Sequence, residues 1–454
     1  MIRHRALTLV LGTLVVAGCA SIAGTSDYAV DPCFDGRCLD GPVDGAPPSE
    51  TAPPVDGPGP VDGVSDAPID TAPPPSPGKS VVSLSGTGVA VGNAAVVTLV
   101  ARDDADVAVP RTGAKVTFTQ AGGASVVTFG ATVDRGDGTY QASVTGVTEG
   151  TKIGIGAVLD GAPLTTAPAS LRVANPIATG LTFSIDAANA DRARNFGGKS
   201  CAASGLTQWT DLSPASAPGA LSSFADPCGV GSGWAGTGTP ESPFRLSFDG
   251  VDDNVAFGPI NALQKYTVLA WIRVGAGGFA ARTSAVGGGG FPKIVPILSK
   301  GTAESESGAI DIDYFLGIAP GGLLASDYEN STDSGNAALT GATALTVGSW
   351  YMVGTTLDAA AGTRALWLNG ASDATAVPTL PPAAAGSSAF VVGGSRASAG
   401  VGGACAGAQG SSGCGRFSGD VALVLTYDHA LTQTEIEKNC HAFSSRFGML
   451  SCPN

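Results

Sequence analysis

Three aspartates, Asp249, Asp252 and Asp253, fall within five residues of the stretch "RLSFDGVDDNVAFG". An all-oxygen set of this kind suits a hard cation, and calcium takes six to eight oxygens. Three carboxylates supply at most half of that shell, so backbone carbonyls and water would have to complete a weak site. A competing account needs no ion. Asp249-Gly250 has the chemistry of a tight turn in which one aspartate accepts backbone N–H bonds. Leu246 and Phe248 before it, and Val255 and Phe257 after it, alternate as inward-facing strand residues. The expectation is a hairpin turn; calcium held by Asp249, Asp252 and Asp253 is the alternative.

A second carboxylate group lies in "GAIDIDYFLG", where Asp311 and Asp313 share one face of a strand. Same-face carboxyls two residues apart come near the spacing of a retaining glycosidase, which also needs one raised pKa. Other chemistry has little to build on. His4 lies in the leader, leaving His429 and His441 near the C-terminus, and no G-x-S-x-G, phosphate loop or H-E-x-x-H occurs. Arg135-Gly136-Asp137 spells an integrin tripeptide, yet Gly136, Asp137 and Gly138 are the turn residues that the strand beginning near Tyr140 requires.

The cysteines set the compartment. "MIRHRALTLVLGTLVVAGCAS" places Arg3 and Arg5 before an apolar run too short to span a bilayer comfortably, ending in Val-Ala-Gly-Cys. This resembles the bacterial lipobox, in which cleavage precedes a cysteine whose thiol is lipidated; the resemblance makes Cys19 the lipid carrier and residues 1–18 a signal peptide. Ala20, by the same resemblance, favours sorting to the outer membrane. Of nine cysteines, eight then remain, an even number in an exported chain. They fall in couples close in sequence: Cys33 with Cys38, Cys201 with Cys228, Cys405 with Cys414, and Cys440 with Cys452. Nearest-neighbour disulfides are expected, although spacing alone does not fix connectivity. Zinc is disfavoured, since no C-x-x-C occurs and histidines number only three.

These groups need elements to hold them, and the chain of 454 residues is long enough for two or three domains. A net charge of −14 argues against a nucleic-acid partner. Alternating Val/Thr/Ala/Leu runs broken by Gly and Asp-Gly predict an all-β protein. Residues 19–78 should be a disordered tether: "PVDG" recurs three times there among prolines and acidic residues, a composition that stays extended and solvated. Asn369-Gly370 predicts a hairpin turn, and Thr432 with Glu435 the capping box of a short helix.

Two resemblances give the strands an architecture. In residues 79–175, "VTLVARDDADVAVPRTGAKVTFT" followed by "VDRGDGTYQASVTG" resembles the immunoglobulin-like repeats of bacterial invasin and intimin adhesins, which implies a small sandwich used as a stalk, with Tyr140 as a tyrosine-corner residue. In residues 177–454, "LTFSIDAAN", "LSFDGVDDNVAFG", "YTVLAWIRVG", "GSWYMVGTTLDAAAGTRALWLNGA" and "FSGDVALVLTYDHALTQTEI" occur in the order of the laminin-G-like, concanavalin-A-like jelly rolls of bacterial surface proteins. Trp271, Trp350 and Trp367 are then expected to fill the space between two sheets. Endo-glucanases of the same fold carry an E-x-D-x-E strand; here both glutamate positions fail, the nearest being Glu304 and Glu306 upstream.

The expected protein is therefore a lipid-anchored protein of a bacterial envelope, on the outer membrane or cell surface. It would present a jelly-roll domain for non-covalent binding of a glycan or surface protein, without catalysis and without a required cofactor. A hydrolase or lyase on the same fold, and a purely structural envelope protein, are the alternatives.

Overall fold

The computed structural model describes residues 73–110, 113–191, 207–224, 232–260, 264–277, 294–303, 312–330, 335–378, 380–382, 389–397 and 416–453. Cys19, most of the tether, Asp311, and the couples Cys33/Cys38, Cys201/Cys228 and Cys405/Cys414 lie outside the described residues.

Period-two alternation builds the first sandwich. In Ala94–Val100 the residues Ala95, Val97 and Leu99 turn inward; in Ile153–Leu159 every second residue does the same. One sheet runs Val81–Leu84, Ala94–Val100, Thr139–Thr148, Val126–Phe129. The facing sheet runs Gly88–Val89, Ala169–Val173, Ile153–Leu159, Val116–Ala121. Tyr140 is buried in the core between them, its hydroxyl accepting from the Ala114 N–H at 3.3 Å. Arg135-Gly136-Asp137 forms the expected turn. The Asp134 carboxylate accepts from Gly136 N and that of Asp137 from Thr139 N, while Gly138 sits at φ +85° with no room for a Cβ against Val109 O.

The second sandwich is larger. Its first sheet is ordered Gly233–Ala235, Arg245–Asp249, Ser418–Tyr427, Lys265–Val274, Trp350–Asp358, Thr363–Leu368, Ala371–Ala376, with Leu181–Asp186 also on Ser418–Tyr427. The second is ordered Gln208–Thr210, Pro218–Ser222, Asn254–Phe257, Phe390–Val392, Val295–Ala303, Ile312–Ile318, Leu323–Asp327, Leu339–Ala344. Leu246, Phe248, Val255 and Phe257 do face the core between these sheets.

Two expectations are corrected. Residues 249–253 do not close a hairpin: Arg245–Asp249 pairs with Ser418–Tyr427 in one sheet, and Asn254–Phe257 pairs with Phe390–Val392 in the other. The turn is an arch that carries the chain across the sandwich. Turn chemistry is the same in both cases, so only strand pairing distinguishes them. Trp271 and Trp367 are buried, but not between the sheets. Along Lys265–Val274, Val268, Ala270 and Ile272 meet the inter-sheet core, whereas Leu269 and Trp271 project from the opposite face, beneath the C-terminal helix. Trp350 packs at the edge of that same layer, and the inter-sheet tryptophans are Trp209 and Trp234.

That helix, Gln433–Ser444, starts with the predicted capping box: Glu435 N donates to Thr432 Oγ1, and Thr432 N to the Glu435 carboxylate at 2.9 Å. Cys440 and Cys452 are joined in a disulfide behind it. The helix also holds the first sandwich. Gly88 N donates to Ser444 Oγ at 2.7 Å, Ser444 Oγ donates to Gly88 O at 3.0 Å, Thr87 N donates to Met449 O, and Lys438 pairs with Glu149. Gly86 allows this approach, since a Cβ there would fall 2.5 Å from Ser445 Cα.

Candidate functional site

The arch at residues 249–253 gathers acidic side chains at the rim of the second sandwich. Gly250 takes φ +79°, and Asp249 Oδ1 accepts from Val251 N at 2.7 Å and Asp252 N at 3.4 Å. Asp253 Oδ2 accepts from Asp249 N at 2.9 Å, which closes the arch. Asp253 is only 1% exposed, and its Oδ1 has no hydrogen-bond partner among the described residues. Burial pushes its carboxyl up to about 7; the bond from Asp249 N opposes that, and the neighbouring Asp249 and Asp252 charges add to it. Carboxylate oxygens of Asp249, Asp252 and Asp253 lie within 4.8 Å of one another. The buried Arg416 guanidinium is near enough to be favoured by all three, while burial lowers its own pKa. The sequence placed these aspartates together correctly, but Arg416, more than 160 residues downstream, carried no local signal.

A second polar group is buried in the same sandwich. Asp313 is 3% exposed, and its Oδ2 meets the fully buried Lys300 Nζ at 2.5 Å. Of the expected Asp311/Asp313 pair only Asp313 lies within the described residues, and it is occupied by this ion pair. Two further carboxylates escaped the sequence reading. Asp327 and Glu329, in "ASDYEN", are both wholly buried. Their period-two spacing at the end of Leu323–Asp327 was the available signal, obscured by the apolar run before it. Asp327 Oδ1 accepts from Tyr328 N at 2.8 Å, its Oδ2 has no partner among the described residues, and Glu329 Oε2 accepts from Ile312 N at 2.7 Å. Burial raises the Asp327 carboxyl to about 7 against the pull of Arg364. Arg364 in turn lies over the Tyr328 ring at 4.9 Å and donates to the Ser326 carbonyl and hydroxyl.

Another buried carboxylate, Asp420, is also engaged. It accepts from Arg273 Nε at 2.6 Å and Ser247 Oγ at 2.5 Å, with Arg245 Nε at 3.3 Å. No aromatic side chain is among the large exposed hydrophobics of the described residues; Phe224, Trp350 and Tyr351 are half-buried.

Residues 249–437 match the protein family described as the concanavalin A-like lectin/glucanases superfamily. The second sandwich is a concanavalin A-like domain. Its match begins at the aspartate arch and ends within the helix Gln433–Ser444. No curated protein matches the chain. Among solved structures, the chain is similar to the CBM40 of the Ruminococcus gnavus IT-sialidase bound to α2,3-sialyllactose, at 16% identity over 38% of this chain and 80% of that one, with a TM-score of 0.29. It is similar also to domain 4 of AbnA, a GH43 extracellular arabinanase of Geobacillus stearothermophilus in complex with arabinotriose, at 14% identity, 56% and 96% coverage and a TM-score of 0.34. A SAP-like pentraxin of Limulus polyphemus matches at 16% identity, 42% and 71% coverage and a TM-score of 0.26.

Proposed function

We propose that this protein is a lipid-anchored recognition protein of a bacterial envelope, held on the outer membrane at the cell surface. Cys19 would carry the lipid, the acidic Pro-rich tether to residue 78 would lift the chain from the bilayer, and the first sandwich would act as an immunoglobulin-like stalk of invasin/intimin type. The concanavalin A-like domain would bind a glycan or surface protein without covalent chemistry. The family description embraces both lectins and glucanases, so the state of the carboxylates weighs between them. The carrying observation is Asp313: a hydrolytic carboxyl must meet substrate and exchange a proton, whereas this one is buried and paired with Lys300.

One observation favours hydrolysis as a second reading. Asp327 and Glu329 are spaced two residues apart, and a raised carboxyl pKa such as that of Asp327 is what a general acid needs. Both are wholly buried, which keeps substrate away from them and leaves binding as the better reading.

The full chain applied to a glycan array should be retained on a subset of glycans and release no reducing sugar. Sugar release that disappears in Asp327→Asn would turn the reading to hydrolysis. Cys19→Ser should move the protein from the membrane to the soluble fraction; membrane retention of that variant would sink the anchor.

A further inference from the structure

We propose that Lys300 and Asp313 condense into an intramolecular amide, a covalent cross-link between the adjacent strands Val295–Ala303 and Ile312–Ile318. The strand register brings the two side chains together. Lys300 pairs with Tyr314 and Gly301 with Ile312, which leaves Asp313 as the extra residue of a bulge. Alternation alone would turn Asp313 away from the face that Lys300 and Tyr314 share. A bulge re-aims the side chain it carries, and Gly301 accommodates the bend at φ +110°. Nζ of Lys300 thereby meets Oδ2 of Asp313 at 2.5 Å. The backbone beside the bulge is held as well, since Ile312 N donates to Glu329 Oε2 at 2.7 Å.

This contact is reactive as well as electrostatic. An Nζ that lies 2.5 Å from Oδ2 stands roughly 3–3.5 Å from the carboxyl carbon, the separation of a near-attack conformer. Lys300 is 0% exposed and Asp313 3%. Their surroundings are aromatic: Lys300 pairs with the buried Phe390, and the buried Tyr266 and Tyr314 rings are 4.6 Å apart. Separated charges are costly there. Passing one proton along the Nζ–H···Oδ2 bond leaves an amine and a carboxylic acid, both uncharged and both in the form that reacts.

The amine lone pair then attacks Cγ. The Cγ–Nζ bond forms, the Cγ–Oδ2 bond breaks, and the hydroxyl leaves with a second Nζ proton as water. Nothing is oxidised or reduced, and no co-reactant is required. In bulk water free amine and acid do not condense; a site that fixes the partners and excludes water favours the amide and protects it from hydrolysis. The bond would lock the register of the two strands. Unlike the Cys440–Cys452 disulfide, it needs no oxidising compartment, and it is independent of what the domain binds.

The test is a peptide map of the full chain, unfolded, reduced and digested with trypsin. No lysine or arginine occurs between Lys300 and Arg364. An unlinked chain therefore yields residues 294–300 and 301–364 as separate peptides. Trypsin does not cut at an acylated lysine, so the linked chain should yield one peptide, 294–364, lighter than its sequence mass by one water. Fragmentation should place that loss between Lys300 and Asp313. In Lys300→Arg the guanidinium stays protonated and cannot attack, so cleavage at position 300 should return, with both peptides at sequence mass. Recovery of the two separate peptides from the parent overturns the proposal, whether or not the variant folds. A water loss located at another carboxyl, or one that persists in Lys300→Arg, overturns it also.

Discussion

Asp327 places a carboxyl where water does not reach and where one oxygen finds no donor among the described residues. Its raised pKa, about 7, has a consequence of definite sign. The folded state keeps the proton between about 4 and about 7, where the unfolded chain releases it. This group's contribution to stability is therefore fully present below about pH 4 and is lost as pH rises through 7. Asp253 acts in the same direction. Asp327→Asn keeps the acceptor for Tyr328 N and removes the charge. It should stabilise the protein by roughly 1–3 kcal/mol more at about pH 8 than at about pH 4, as read from urea midpoints at the two pH values. An equal effect at both would show that Asp327 titrates as an ordinary carboxylate.

The helix Gln433–Ser444 is the element that ties the layers together. It covers the outer face of the first sheet over Trp271, Trp367 and Tyr427, and the Cys440–Cys452 disulfide holds the chain end behind it. Thr432→Ala removes one half of its capping box and should cost about 1 kcal/mol, measured by chemical denaturation. Asn369-Gly370 takes φ +49° and +88° between Thr363–Leu368 and Ala371–Ala376, the primed turn that sequence predicted. Capping box and turn were legible because each is satisfied within a few residues. The fate of the tryptophans was not legible. Lys265–Val274 is apolar on both faces, so alternation cannot say which face meets the other sheet and which meets the helix.

At the scale of the whole molecule, the two sandwiches share hydrogen bonds from Ser444 to Gly88 and from Thr87 to Met449, besides the Lys438–Glu149 ion pair. The Ser444–Gly88 bonds are buried and would be lost together, which couples the two cores. Scanning calorimetry should show one transition for the parent. Gly86→Val puts side-chain atoms into Ser445, 2.5 Å from where the Cβ would stand, and should separate that transition into two. A single transition in the variant would mean that the cores are coupled through other contacts.

The all-β class, the strand positions, the tight turn at Gly136 and the helix cap follow from alternation and from residues that act on their own neighbours, and these the sequence determined alone. Tertiary structure decided whatever depends on a partner far along the chain. Residues 249–253 became an arch because Phe390–Val392 and Ser418–Tyr427 stand in different sheets. Arg416 faces the aspartates of that arch, and Gly86 and Gly88 admit the backbone of a helix more than 340 residues away. Asp313 shows the difference most plainly. Its alternating strand was readable from a handful of letters, but whether it met substrate or Lys300 depended on strand register and a bulge between Lys300 and Gly301. Hydrophobic periodicity fixes which way a side chain points, and only the packed sheet fixes what it finds there.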